Sequence, residues 1–137
     1  MNKKLYGLTK GSELEKMIGS IANAEVNGTK HYYTLARMAL EQGLPQEVAD
    51  TLIQMADQES NHAGFYAMLN ASYDTDIFSE LERAEKGELG ASKALLPLAE
   101  QFRALGSEEA ALQVEEIIRQ ELHHGELIHN LLEKYKK

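Results

Sequence analysis

Two short stretches, Glu59-Ser60-Asn61-His62 and Glu121-Leu122-His123-His124, stand 62 residues apart in a chain whose apolar residues recur at steps of three and four. Three residues is nearly one helical turn, so each Glu-x-x-His set puts a carboxylate and an imidazole on one face, where the pair can grip a metal ion. The repetition extends beyond these sets. Glu25 precedes Gly43 by 18 residues and Glu88 precedes Gly106 by the same 18; Glu25 to Glu59 is 34 residues and Glu88 to Glu121 is 33. The chain therefore reads as two related helical hairpins, each contributing one Glu and one Glu-x-x-His.

Helix start and stop signals agree with that division. After a short leader from Lys3 to Gly11, Ser12-x-x-Glu15 reads as a capping box opening a first helix that runs to about Gln42 and stops at Gly43. Pro45 suits the first turn of a second helix continuing to about Asn70. Ala71 to Asp76 is a polar break, followed by a third helix from about Ile77 to Leu105 with Gly106 as its stop. Ser107 caps a fourth, with Glu108 and Glu109 in its first turn. The expected fold is all-α: a four-helix bundle in one domain, 1–137, built from hairpin repeats at about 12–70 and 77–135.

Along the seams of these helices the only carboxylates and imidazoles are Glu25, Glu59, His62, Glu88, Glu121 and His124, and no Lys or Arg joins them. Burying four carboxylates without compensation would cost several kcal/mol each. That is comparable with the whole stability of a domain, roughly 5–15 kcal/mol. Two divalent cations cancel the four charges while both imidazoles stay neutral. Protonated carboxyls or a wet cavity are the alternatives that leave metal out. The chain has no cysteine, so thiolate zinc sites, Fe–S clusters and disulfides are excluded and any metal sits on oxygen and nitrogen. Two iron ions, or manganese, fit this ligand set best, with zinc as an occupant acquired during purification.

A formal net charge of −8 and the lack of a basic patch argue against nucleic acid as a partner. The N-terminus carries two lysines with no apolar stretch behind them, and no uncharged run is long enough to span a bilayer, so no membrane partner and a cytoplasmic location are expected. Met17, Met38, Met55 and Met68 read as core filler, and His31, His123 and His129 as solvated. Gln58 and Gln120 precede the paired glutamates and read as surface positions. Gly28 and Ala91, one turn beyond Glu25 and Glu88, offer either open space for O₂ or peroxide or a close helix contact.

Across nearly its whole length the chain resembles the ferritin-like domain of the rubrerythrins. Besides the six ligand positions, Tyr32 lies seven residues after Glu25, and Pro97 nine after Glu88, as in that family. The resemblance implies that Glu59 and Glu121 bridge two ions, that Glu25 and Glu88 are terminal ligands, and that His62 and His124 each cap one ion. It also implies a hydrogen bond from Tyr32 to a ligand carboxylate. The function it implies is a non-haem di-iron oxidoreductase for oxidative-stress defence, reducing hydrogen peroxide or O₂ with electrons from a separate donor such as a rubredoxin-like protein. The alternative is an iron-handling, ferroxidase-type protein without peroxidase turnover.

Two departures bear on that choice. Rubrerythrins usually carry a seventh carboxylate three residues after the third-helix glutamate, where this chain has Ala91, and a tyrosine just before the proline, where it has Leu96. Without cysteine the chain has no rubredoxin domain of its own, so the donor must be a separate protein.

The middle of the chain poses a length problem. At 1.5 Å per residue, Leu69 is about 15 Å beyond Glu59, and Ile77 about 16 Å before Glu88. A parallel second and third helix with both sites level then need a link of roughly 31 Å, whereas residues 70–76 reach about 27 Å fully extended. This shortfall predicts a homodimer, with hairpins exchanged between chains; an antiparallel up-down-up-down monomer also fits the distances.

Overall fold

The computed structural model describes residues 4–137; the expected start of the leader at Lys3 lies outside them. Four helices account for most of these residues: α1 Glu15–Glu41, α2 Gln46–Leu69, α3 Ile77–Ala104 and α4 Glu108–Tyr135. The class is all-α, and α1 packs on α2 and α3 on α4 as two hairpins. The chain divides into two compact units, the first ending at Thr75 and the second running Asp76–Lys137.

Each of the first three helices ends the same way. Gly43 at φ +74° and Gly106 at φ +88° hold the left-handed position that breaks α1 and α3. The following amides reach back, Leu44 N–H to the Ala39 carbonyl and Ser107 N–H to the Phe102 carbonyl, both at 3.0 Å. At the end of α2 the same motif is built on Ala71, at φ +49°, with Ser72 N–H donating to the Ala67 carbonyl at 3.0 Å. An alanine there meets a steric penalty that a glycine avoids.

Ser107 caps α4 as expected, its Oγ accepting from Ala110 N–H at 3.1 Å, and Asp76 caps α3 by accepting from Phe78 and Ser79 N–H. The capping box at Ser12 is not formed. Ser12 Oγ accepts from Leu14 N–H instead, Glu15 reaches back to Gly11 N–H, and α1 starts at Glu15. The reason is that residues 5–14 are a run of turns laid against the end of α2. Gly7 N–H donates to the Met68 carbonyl and Thr9 N–H to that of Leu69, both at 3.0 Å, while the Asn70 side chain donates to the Glu15 carbonyl at 2.8 Å. The first two bonds serve carbonyls of the last turn of α2, which have no partner within the helix, and the third ties the end of α2 to the start of α1.

In the first hairpin the buried apolar residues are Ala36 and Ala39 of α1 and Ala49, Ala56 and Leu69 of α2. In the second, Ala99, Ala111 and Val114 form the centre, flanked by Leu95, Leu98, Phe102 and Ile118. Several of these positions lie one residue from the expected seams, because paired helices approach closest where side chains are small. Larger residues flank the contact. Met17, Met38, Met55 and Met68 are 37–59% exposed on their hairpin, so they are not filler of the hairpin's own core. Arg103 clamps the α3–α4 turn: its guanidinium donates to Glu108, Glu115 and Glu100 at 2.6–3.1 Å. Glu108, and after it Glu115 and Glu100, drive the Arg103 pKa upward, and Arg103 in turn lowers that of Glu108.

Candidate metal centre

The hairpin geometry places Glu25 on α1 opposite Glu59 and His62 on α2, and Glu88 on α3 opposite Glu121 and His124 on α4. In each triad one donor atom per residue lies within 4.8 Å of the other two. His62 Nδ1 is 3.4 Å from Glu25 Oε2, and His124 Nδ1 is 3.6 Å from Glu88 Oε2. The spacing of Glu-x-x-His thus does what helical periodicity requires: it turns both side chains toward one helix of the same hairpin.

The electrostatics of the triads match as well. Glu25 Oε2 and Glu88 Oε2 are buried oxygens with no hydrogen-bond donor. Such an atom ordinarily carries a cost unless something positive faces it. The neighbouring Glu25 carboxyl raises Glu59 above the usual carboxylate range; burial adds to the effect and His62 opposes it. Glu121 is raised in the same way by Glu88, with burial adding and His124 opposing. Two close carboxylates, one of them with a donorless oxygen, and an imidazole make a hard oxygen-and-nitrogen set that fits one divalent cation per triad. The fit is to iron, manganese or zinc chemistry, and not to a soft thiolate-seeking ion.

Around the two triads the structure adds contacts that periodicity does not reveal. Thr29 Oγ1 donates to the Glu25 carbonyl at 3.0 Å, and Ser60 Oγ donates to Thr29 Oγ1 at 3.3 Å, tying α1 to α2 beside the triad. In the second hairpin the corresponding hydroxyl is Ser92, buried and donating to the Leu89 carbonyl at 2.8 Å. Tyr33 donates to Asp57, two residues before Glu59. A hydroxyl one turn from each first-position glutamate was the available signal.

Tyr32 is half-buried and its ring stacks on His31, with centroids 5.5 Å apart; no hydrogen bond joins its hydroxyl to a ligand carboxylate among the described residues. His31, His123 and His129 are exposed as expected, although His129 sits between Glu85 and Glu133 at 3.6 and 3.7 Å. Gln58 and Gln120 are exposed. Of the two readings of Gly28, open space or close helix contact, the structure has the second: a Cβ there would lie 3.2 Å from Glu59 Oε2. Close contact, and not room for a small oxidant, is what the glycine provides.

Comparison with known proteins agrees with this geometry. An uncharacterized protein of Methanocaldococcus jannaschii is 33% identical over 137 residues, covering 100% of this chain and 96% of that protein. Reverse rubrerythrin-1 of Clostridium acetobutylicum is 30% identical over 134 residues, covering 96% of this chain and 74% of that protein. The chain belongs to the rubrerythrin family. This rubrerythrin-family chain carries two carboxylate–histidine triads, each of which could hold a metal ion. No family profile matches it, and no solved structure does. No helix among the described residues is long and apolar enough to cross a membrane.

Proposed function

We propose that the two triads hold two iron ions in one centre of a four-helix bundle, and that the protein is a rubrerythrin-like oxidoreductase that reduces hydrogen peroxide. The observation that carries this reading is the duplicated donorless oxygen, Glu25 Oε2 and Glu88 Oε2, each beside a histidine nitrogen and a second carboxylate. Each hairpin leaves His62 or His124 about half exposed, on the same helical stripe as Val48 and Met55 or Ile117 and Leu131. Packing that stripe on another hairpin would cover the apolar residues.

Bound iron would supply the one-electron redox couples that the reduction needs. The chain's residues would hold and orient it: Glu25, Glu59 and His62 from the first hairpin, and Glu88, Glu121 and His124 from the second. Overall, the O–O bond of hydrogen peroxide breaks, two electrons arrive from a separate rubredoxin-like donor protein, and two protons complete two waters. Reducing the iron-loaded protein and mixing it rapidly with H₂O₂ or with O₂ tests the reading. Faster oxidation by peroxide supports it; no oxidation by either contradicts it.

A second reading is favoured by Ala91, which stands exposed where rubrerythrins usually place a seventh carboxylate. In an iron-handling protein Fe(II) is the substrate, two ions giving two electrons to O₂, which takes two protons to become hydrogen peroxide. Faster oxidation by O₂ than by peroxide supports this alternative.

For assembly, the short link between α2 and α3 supports a homodimer that exchanges hairpins. Asn70, Ala71 and Ser72 are already tied to the end of α2 or to Glu15, which shortens the free link further. Light scattering at micromolar concentration should give twice the 15.3 kDa chain mass; a monomer contradicts the exchange.

A further inference from the structure

We propose that Gly28 is a positioning residue for the Glu59 carboxylate: the Cβ it lacks on α1 is the space in which that metal ligand of α2 rests. The proposal builds on the metal reading above and concerns one triad only.

Six glycines lie within the helices: Gly19, Gly28, Gly64, Gly87, Gly90 and Gly125. A Cβ at Gly64, Gly87 or Gly90 would meet nothing within 4 Å, while at Gly19 and Gly125 its nearest neighbours would be at ordinary contact distances of 3.6 and 3.9 Å. At Gly28 it would lie 3.2 Å from Glu59 Oε2, 3.3 Å from Cδ and 3.6 Å from Cγ. Gly28 is thus the helical glycine whose missing methyl is replaced by a ligand. Glycine is among the poorest helix formers, so its use mid-helix calls for a local reason.

Contacts of this length require the neighbour to give by a few tenths of an ångström. Metal–ligand bonds hold their lengths to about 0.2 Å. The displacement is therefore small for packing but large for coordination. Glu59 shares its triad with Glu25 and His62, one donor atom of each lying within 4.8 Å of the others, so moving its carboxylate changes the triad. In the second hairpin the corresponding position is Ala91, whose methyl α3 already carries, so the requirement belongs to the first triad.

The test compares wild type, Gly28→Ala and, as control, Gly90→Ala on the full chain, reading apo melting temperature and Co(II) binding by visible absorption. Both substitutions should hold or raise the apo melting temperature through helix propensity. Only Gly28→Ala should weaken Co(II), at one of the two sites, by on the order of tenfold or more. A second measurement uses Glu59→Asp, which draws the carboxylate back from the added methyl. Its cost in Co(II) affinity should be smaller in the Gly28→Ala background than in wild type. Wild-type Co(II) affinities in Gly28→Ala, with an additive Glu59→Asp effect, identify plain helix packing and overturn the proposal at any melting temperature. A wild-type protein that binds no Co(II) overturns the metal reading itself, and the proposal with it.

Discussion

Glu25 and His62 face each other between α1 and α2 with Oε2 3.4 Å from Nδ1, and that same oxygen is buried without a hydrogen-bond donor. The relation is repeated by Glu88 and His124 in the second hairpin at 3.6 Å. A cation held between carboxylate and imidazole would satisfy both oxygens.

Removing one of these carboxylates should have opposite effects on the two forms of the protein. Glu25→Gln takes a negative charge from beside Glu59 and is expected to hold or raise the apo melting temperature while losing one of the two ions. Glu88→Gln should lose the other. Calorimetry with and without chelator, together with metal analysis, reads both effects. A loss of apo stability with both ions retained would place these residues in packing instead.

The pH dependence follows from Glu59 and Glu121, whose carboxyls are held above 4.5 by Glu25 and Glu88 respectively. Between the unfolded and raised folded values the folded apo protein binds more protons, so its stability falls as pH rises through that interval. Metal binding requires the deprotonated ligands, so the stabilisation by metal grows in the same direction. The gap between Mn(II)-loaded and apo melting temperatures should therefore widen from pH about 4.5 toward neutrality. A constant gap contradicts the assignment.

Ala71 supplies a stability prediction independent of metal. At φ +49° it occupies a position that glycine holds in the other two turns. Ala71→Gly should stabilise by roughly 1 kcal/mol, the size of the left-handed penalty it removes. Chemical denaturation at fixed metal content measures it, and no gain would mean that the turn relaxes around the alanine.

Arg103 bridges three carboxylates across the α3–α4 turn. Arg103→Met should lower the melting temperature at low salt, with a deficit that shrinks in about 1 M salt as charges are screened. A deficit indifferent to salt would indicate lost packing of the side-chain stem.

Much of this was legible in the sequence. Steps of three and four, with Gly43, Gly106 and Ser107 as punctuation, place all four helices within a few residues of their observed ends. The same steps pick out the six residues that the structure gathers into two triads, Glu25, Glu59 and His62 and Glu88, Glu121 and His124, because carboxylates and imidazoles repeated at matching heights share a helix face. Periodicity does not distinguish Ala56 from Met55, since both are apolar and a bundle helix has a wide apolar stripe. Only close approach of the paired helices selects the smaller side chain. Nor does pattern reveal turn-forming tertiary contacts: the leader's bonds to Met68 and Leu69 displaced the Ser12 capping box, and Ala71 carries no glycine signal.

The most direct measurement is anomalous diffraction at the iron edge from crystals of Fe(II)-loaded protein. Two iron peaks should appear, one ligated by Glu25, Glu59 and His62 and one by Glu88, Glu121 and His124, about 3.5–4 Å apart as in two-metal sites. Peaks absent from both triads, or two triads each holding an isolated ion far from the other, would contradict a shared di-iron centre.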